Sequence, residues 1–151
     1  MIAILEFVAI FLLMLVTGVF WGPWFALSRS LSAFSAGEFI KIAKIMSANL
    51  GAPMRFLLPL CIIAMLLTVW FYPQKSAIGF YAGIMAVALI IISLIITIAI
   101  EVPIVKGVEE WTVETIPTNW TAIRDRWIKF HVVRTLTSLC SFACFVVAIL
   151  Y

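Results

Sequence analysis

The sequence predicts an all-α integral membrane protein, a four-transmembrane-helix bundle with a short amphipathic cytoplasmic helix. Three observations carry this. Hydrophobic residues make up 66% of the 151 residues and charged ones only 11%, more apolar surface than a soluble domain of this length can hide. The apolar residues fall into four runs, about 2–28, 53–72, 77–102 and 128–151. Each reaches the roughly 17–25 residues that a helix needs to cross the hydrocarbon core. The runs are continuous rather than alternating, which excludes barrel strands. The chain 1–151 therefore reads as one membrane domain.

Loop charges predict the topology. Arg29, Lys41 and Lys44 follow the first run, with Arg55 at the edge of the second. Lys106, Arg124, Arg126 and Lys129 precede the last run, and Lys75 stands alone in the short middle loop. The positive-inside rule then puts loops 29–54 and 103–129 in the cytoplasm and both termini outside. A bacterial inner membrane is the expected location, with the lipid bilayer as the main partner. The net charge of +3 belongs to membrane-flanking loops and implies no nucleic acid partner. The first run lacks a basic n-region and reads as a span rather than a cleaved signal. Cys61, Cys140 and Cys144 form no CxxC pair, so no structural zinc site is expected.

In the first span Glu6 is either interfacial or paired. Further along, Thr17, Trp21, Trp24 and Ser28 share a helical face. Pro23 lacks a backbone N–H and is expected to loosen the helix near Val19. Gly18 and Gly22 form a small-xxx-small pair. Trp21 and Trp24 have two readings, an interfacial aromatic belt or the wall of a pocket.

Ser35-Ala-Gly-Glu38 matches a capping box. Phe39, Ile42, Ala43, Met46 and Leu50 follow at helical spacing, so residues 36–50 are expected as an amphipathic helix on the cytoplasmic surface. The ANLGAPMR stretch should break that helix, with Pro53 in the first turn of the second span. Arg55 either anchors this span or faces a ligand. Trp70, Phe71 and Tyr72 form an outer belt, and Pro73 is expected to stop the helix.

The third span is apolar except for Ser93, Thr97 and Glu101, spaced four apart. Such a stripe should face protein, not lipid. An ionised group at mid-membrane costs about 2.5–3.5 kcal/mol on the insertion scale, less near the interface. Glu101 avoids most of this by pairing, with Arg55, Arg134 or protonated His131 as candidates.

The last helix, capped by Thr118 or Asn119, is expected over about 119–150. Its length of about 48 Å at 1.5 Å per residue exceeds the bilayer core, so its first turns project into the cytoplasm. Arg124, Trp127, His131, Arg134, Ser138 and Ser141 should line one stripe. Ionisable groups where a helix enters lipid are functional-site candidates. The alternative is that Arg134 snorkels to headgroups while His131 marks the interface. The Asn119-Trp-Thr121 sequon is expected to stay unused on the cytoplasmic side.

These elements bring polar and aromatic groups to one membrane face. Glu101 and Arg134 could form a charge-assisted pair, with His131 beside it to move a proton. The candidate catalytic set is His131, Arg134 and Glu101. The candidate ligand-binding set is Trp21, Trp24, Arg55 and Trp127, which suits a hydrophobic aromatic ligand. No nucleotide loop, HExxH helix or nucleophile elbow is present, and one His without a carboxylate cluster argues against a transition-metal centre. No cofactor motif is evident, and haem through His131 stays open, as does a homo-oligomer.

The stretches GVFWGPWFALSRS, MSANLGAPMR, EVPI and above all TNWTAIRDRWIKFHVVRTLTS resemble the anthrone-oxygenase-like family of small four-helix membrane proteins, most of them without a known function. The resemblance covers nearly the whole chain, and W…R.RW..H..RT is its most specific part. Glu101 stands where many relatives carry an Asn-rich motif. The resemblance implies the four-helix fold and, for some fungal polyketide pathways, oxidation of anthrones to anthraquinones by molecular oxygen. It marks Trp127, His131 and Arg134 as the first positions to test. The expected function is a cofactor-independent oxidoreductase acting on a hydrophobic aromatic or quinone-like compound. Two alternatives stand beside it: a non-enzymatic membrane subunit or assembly partner whose polar cluster stabilises the bundle, and a small-ligand or proton carrier.

Overall fold

The computed structural model describes residues 2–71 and 77–151. Helix α1 spans Ile2–Ala26 and leads into a 3-10 helix, Ser28–Ala33. Helix α2 spans Ala36–Phe71, α3 Ala77–Ile96, α4 Val102–Glu109 and α5 Trp120–Leu150. A π-helical segment, Thr97–Glu101, joins α3 to α4 without a break. No strand occurs among the described residues. The result is four rods long and apolar enough to cross a bilayer: Ile2–Ala33, Ala36–Phe71, Ile78–Glu109 and Trp120–Leu150. They close a ring in which α5 packs on α3 and α1, α1 on α2, and α2 on α3. The outward faces stay apolar, with Phe7 and Phe11, Phe56 and Leu60, Ile91 and Ile95, and Val133 and Leu136 all exposed. Side chains of this kind on the outside of every rod are what lipid contact requires. The chain is an integral membrane protein.

Two apolar cores stack along the bundle. The larger one fills its middle with Leu13, Phe20, Leu58, Met65, Ile90 and Phe145. The second lies at the end where α1 finishes and α5 begins, and joins Leu31, Phe39, Ile40, Ala43, Val108 and Trp127. The apolar stripe of residues 36–50 is thus covered in part by protein, with Phe39 and Ala43 buried, rather than lying free on a membrane surface. The break expected at 48–55 is absent: α2 runs through Gly51, Pro53 and Pro59 for 36 residues, about 54 Å. Each proline removes one backbone hydrogen bond, and packing at both ends of the rod outweighs that local loss. The capping box is present, with Ser35 N–H donating to Glu38 Oε2 at 2.8 Å and Glu38 N–H to Ser35 Oγ at 3.5 Å. Asn119 takes the N-cap position of α5 through its backbone, without a side-chain cap. Helix α1 continues past Pro23 to Ala26. The expected roles of Tyr72 and Pro73 lie outside the described residues.

Small side chains let α5 approach its neighbours. Thr17 and Ser138 share a hydrogen bond of 2.8 Å. Ser141 donates to the Ala86 carbonyl at 2.7 Å, and Ser93 pairs with Thr137 at 2.7 Å. Such interhelical bonds and small residues replace the hydrophobic drive that lipid does not supply. Gly83 marks a close approach: a Cβ there would meet Val69 Cγ2 at 2.9 Å and Ala148 Cβ at 3.6 Å. Valine is stiff at this position of its side chain. Gly83→Ala is therefore expected to destabilise the bundle by about 1–3 kcal/mol, read as a lower thermal unfolding temperature in detergent. Gly18→Ala, which meets nothing within 4 Å, serves as the control and should cause no loss.

Candidate functional site

A polar layer separates the two cores. It is built from α5, the end of α3 and the π-helical segment, with Phe20 of α1 beside it. On α5 the buried face reads Arg124, Trp127, His131, Thr135, Ser138 and Ser141, with Arg134 at its edge. Ser93, Thr97 and Glu101 meet this face. In a plain α-helix each step of four residues overshoots a turn by about 40°, so the stripe drifts. The wider π turn reduces the rotation per residue and brings Glu101 back over Ser93 and Thr97. Single π turns of this kind occur often at functional sites.

Glu101 and Arg134 form an ion pair through Oε2 and Nη1. The same Nη1 donates to Thr97 Oγ1 at 3.2 Å. Arg134 Nη2 lies 2.7 Å from His131 Nδ1, and Nδ1 lies 3.4 Å from Glu101 Oε1. These two contacts make opposite demands on Nδ1. Guanidinium nitrogens only donate, so the shorter contact makes Nδ1 the acceptor and assigns the ring proton to Nε2. The 3.4 Å approach is then lone pair to lone pair and leaves Glu101 Oε1 without a donor. Phe20 lies under the guanidinium, 4.2 Å from its carbon to the ring centroid, a cation–π contact in a desolvated setting. The His131 backbone carbonyl accepts from Thr135 Oγ1 at 2.8 Å.

The layer is closed to solvent. The side chains of His131, Glu101 and Arg134 keep only 1%, 5% and 11% of their exposure. Four buried polar atoms have no hydrogen-bond partner among the described residues: Glu101 Oε1, Trp127 Nε1, His131 Nε2 and Arg134 Nε. Each unsatisfied buried group costs about 1–3 kcal/mol. All four fall on one layer.

The seven residues singled out from the sequence divide. Glu101, Trp127, His131 and Arg134 come together; Trp127 stacks on the His131 ring with centroids 5.2 Å apart and planes at 10°. Arg55 is exposed on α2 and makes no ion pair with Glu101 among the described residues. Trp21 is exposed and Trp24 half-buried; they contact each other at 4.9 Å, while the face of α1 turned inward carries Thr17 and Phe20. A cleft of about 340 Å³ opens beside them, lined by Gly22, Pro23, Ala26 and Leu27 of the first rod and Ile45, Met46, Asn49 and Leu50 of α2. Neither tryptophan lines it, and it is separate from the polar layer. Sequence reasoning missed Phe20 as the cation's partner, although it lies three residues from Thr17 on the same helical face. It also missed the π-helical segment, for which no residue type gives a signal.

Residues 47–144 match the family model described as anthrone oxygenase. The matched stretch holds α3, the π-helical segment, α4 and the larger parts of α2 and α5, including Glu101, Trp127, His131 and Arg134; Trp21 and Trp24 fall outside it. No curated protein and no solved structure matches the chain. With well over half of its residues matched, the chain belongs to the anthrone oxygenase family.

Proposed function

We propose that this chain is a cofactor-independent membrane oxidoreductase that oxidises a hydrophobic aromatic, anthrone-like or quinone-like compound at the polar layer. The observation that supports it is the buried layer itself, with an ion pair, a histidine and four polar atoms left unmatched. Glu101 Oε1 holds the spare lone pair, because His131 Nδ1 is engaged by Arg134. Glu101 is therefore the base that takes a proton from the activated ring methylene, and Arg134 stabilises the enolate oxygen that results. The carbanion gives its electrons to molecular oxygen and forms a carbon–oxygen bond. The hydroperoxide so made loses water to leave a carbonyl, so one CH₂ and one O₂ become one C=O and one H₂O. The loop-rich end, with Lys106, Arg126 and Lys129, faces the cytoplasm of a bacterial inner membrane in this reading, and both termini lie outside.

The test is anthrone oxidation by the purified chain in phospholipid nanodiscs, followed as oxygen uptake and anthraquinone absorbance. One oxygen consumed per quinone formed is expected. His131→Ala, at equal yield, should slow turnover about 10²–10³-fold, as loss of a preorganised polar group in a closed site does. A rate equal to that of empty nanodiscs would sink the enzyme reading. The alternative is then a structural polar lock, which the interhelical bonds of Thr17, Ser93 and Ser141 would serve.

A further inference from the structure

Once the Glu101–Arg134–His131 network is made, its leftover groups have a definite chemistry. His131 Nε2–H, Trp127 Nε1–H and Arg134 Nε–H are donors without partners among the described residues, and Glu101 Oε1 is an acceptor without one. His131 and Trp127 are 1% and 7% exposed, so solvent does not serve them. Their rings lie in planes 10° apart. Ring N–H bonds lie in the ring plane, so the two donors occupy near-parallel sheets one stacking distance apart. Phe39 meets the Trp127 ring near edge-on, at 6.5 Å and 67°, and fixes it from the second core. Three donors and one acceptor match a ligand that is rich in oxygen and has one proton to give. The ion pair is neutral as a unit, so it does not already supply an anion for these donors.

We infer that Trp127 and His131 form a donor pair that holds an aromatic oxygen in its anionic form, the phenolate or enolate of a planar hydroxylated polycyclic ligand. With the substrate, Glu101 Oε1 takes the ring-methylene proton and the donor pair holds the enolate oxygen. With a hydroxylated quinone, which has no such methylene, Glu101 Oε1 takes the phenol proton, and the oxygen keeps the electron pair of the broken O–H bond. The inference rests on the proposed aromatic substrate and adds the group that recognises it. Trp127 is a binding residue here rather than core packing alone.

The probe is 1,8-dihydroxyanthraquinone, whose visible band shifts when a phenol ionises, titrated into nanodiscs holding the full chain. Bound to the wild-type chain, it should ionise at least about one pH unit lower than in empty nanodiscs. Trp127→Phe keeps an aromatic ring in the stack but removes the N–H together with the pyrrole half of the indole, so it is compared at matched yield. It should weaken binding about ten-fold or more and return much of the spectral shift. His131→Gln, whose amide nitrogen reaches the Nε2 position, should retain binding, whereas His131→Asn, which reaches only Nδ1, should lose it. Probe binding that is equally tight and equally shifted in Trp127→Phe and His131→Asn would overturn the donor pair and leave the aromatic-substrate reading standing. No binding by the wild-type chain would overturn both.

Discussion

Arg134→Met is expected to destabilise the bundle by about 3–5 kcal/mol, the usual result of stranding one member of a buried ion pair. Glu101 is 4% exposed and has Arg134 as its ion-pair partner. Without it the carboxylate must stay charged and unpaired in a dry layer or take up a proton. A folded protein holds only about 5–15 kcal/mol in total, so the single variant should accumulate poorly and unfold early in detergent. The double variant Arg134→Met, Glu101→Gln removes both charges and should recover most of that stability. Chemical denaturation of the two variants beside the wild type checks this. Equal stability of the single and double variants would show that the two side chains do not depend on each other.

Glu101→Gln is expected to slow anthrone oxidation by about 10²–10⁴-fold, the range for loss of a general base. The amide has the same shape and its oxygen still accepts from Arg134, but the buried guanidinium loses its counter-charge. The variant should therefore lose part of its stability, and its rate is compared per folded protein. It cannot take a proton from carbon. Turnover per folded protein, measured with saturating substrate in nanodiscs, should fall. The hydroxyanthraquinone probe should bind without its full ionisation shift, because the acceptor of the phenol proton is gone. A variant with wild-type turnover would move the base away from Glu101 and would leave His131, through its Nε2 tautomer, with a donor role only.

Much of this layer is legible in the residues before any coordinates. The stripe through Arg124, Trp127, His131 and Ser138 follows from helical period in a stretch without Pro or Gly, and α5 carries it as expected. Glu101 as the partner of Arg134 follows from the cost of a carboxylate near lipid, although Arg55 and protonated His131 satisfied the same argument. Trp21 and Trp24 show the limit. Helical spacing puts them on a face, but an aromatic residue at a membrane boundary suits lipid and protein equally well. Phe20 has no polar atom to draw attention, yet its ring supports the guanidinium at 4.2 Å.

Hydropathy and period alone decide that the chain crosses a membrane as four helices, because each helix must satisfy its own backbone in lipid. They also decide which side chains share a face. Contacts between helices decide the rest. Helices α3 and α5 are neighbours. The π turn rotates Glu101 onto Arg134. Helix α2 stays whole across Pro53 because a second core holds its first turns. The short approach of Arg134 to Nδ1 leaves the His131 proton on Nε2. Each of these depends on groups distant in sequence coming within a few ångströms, and at that range packing and hydrogen bonding outweigh local preference.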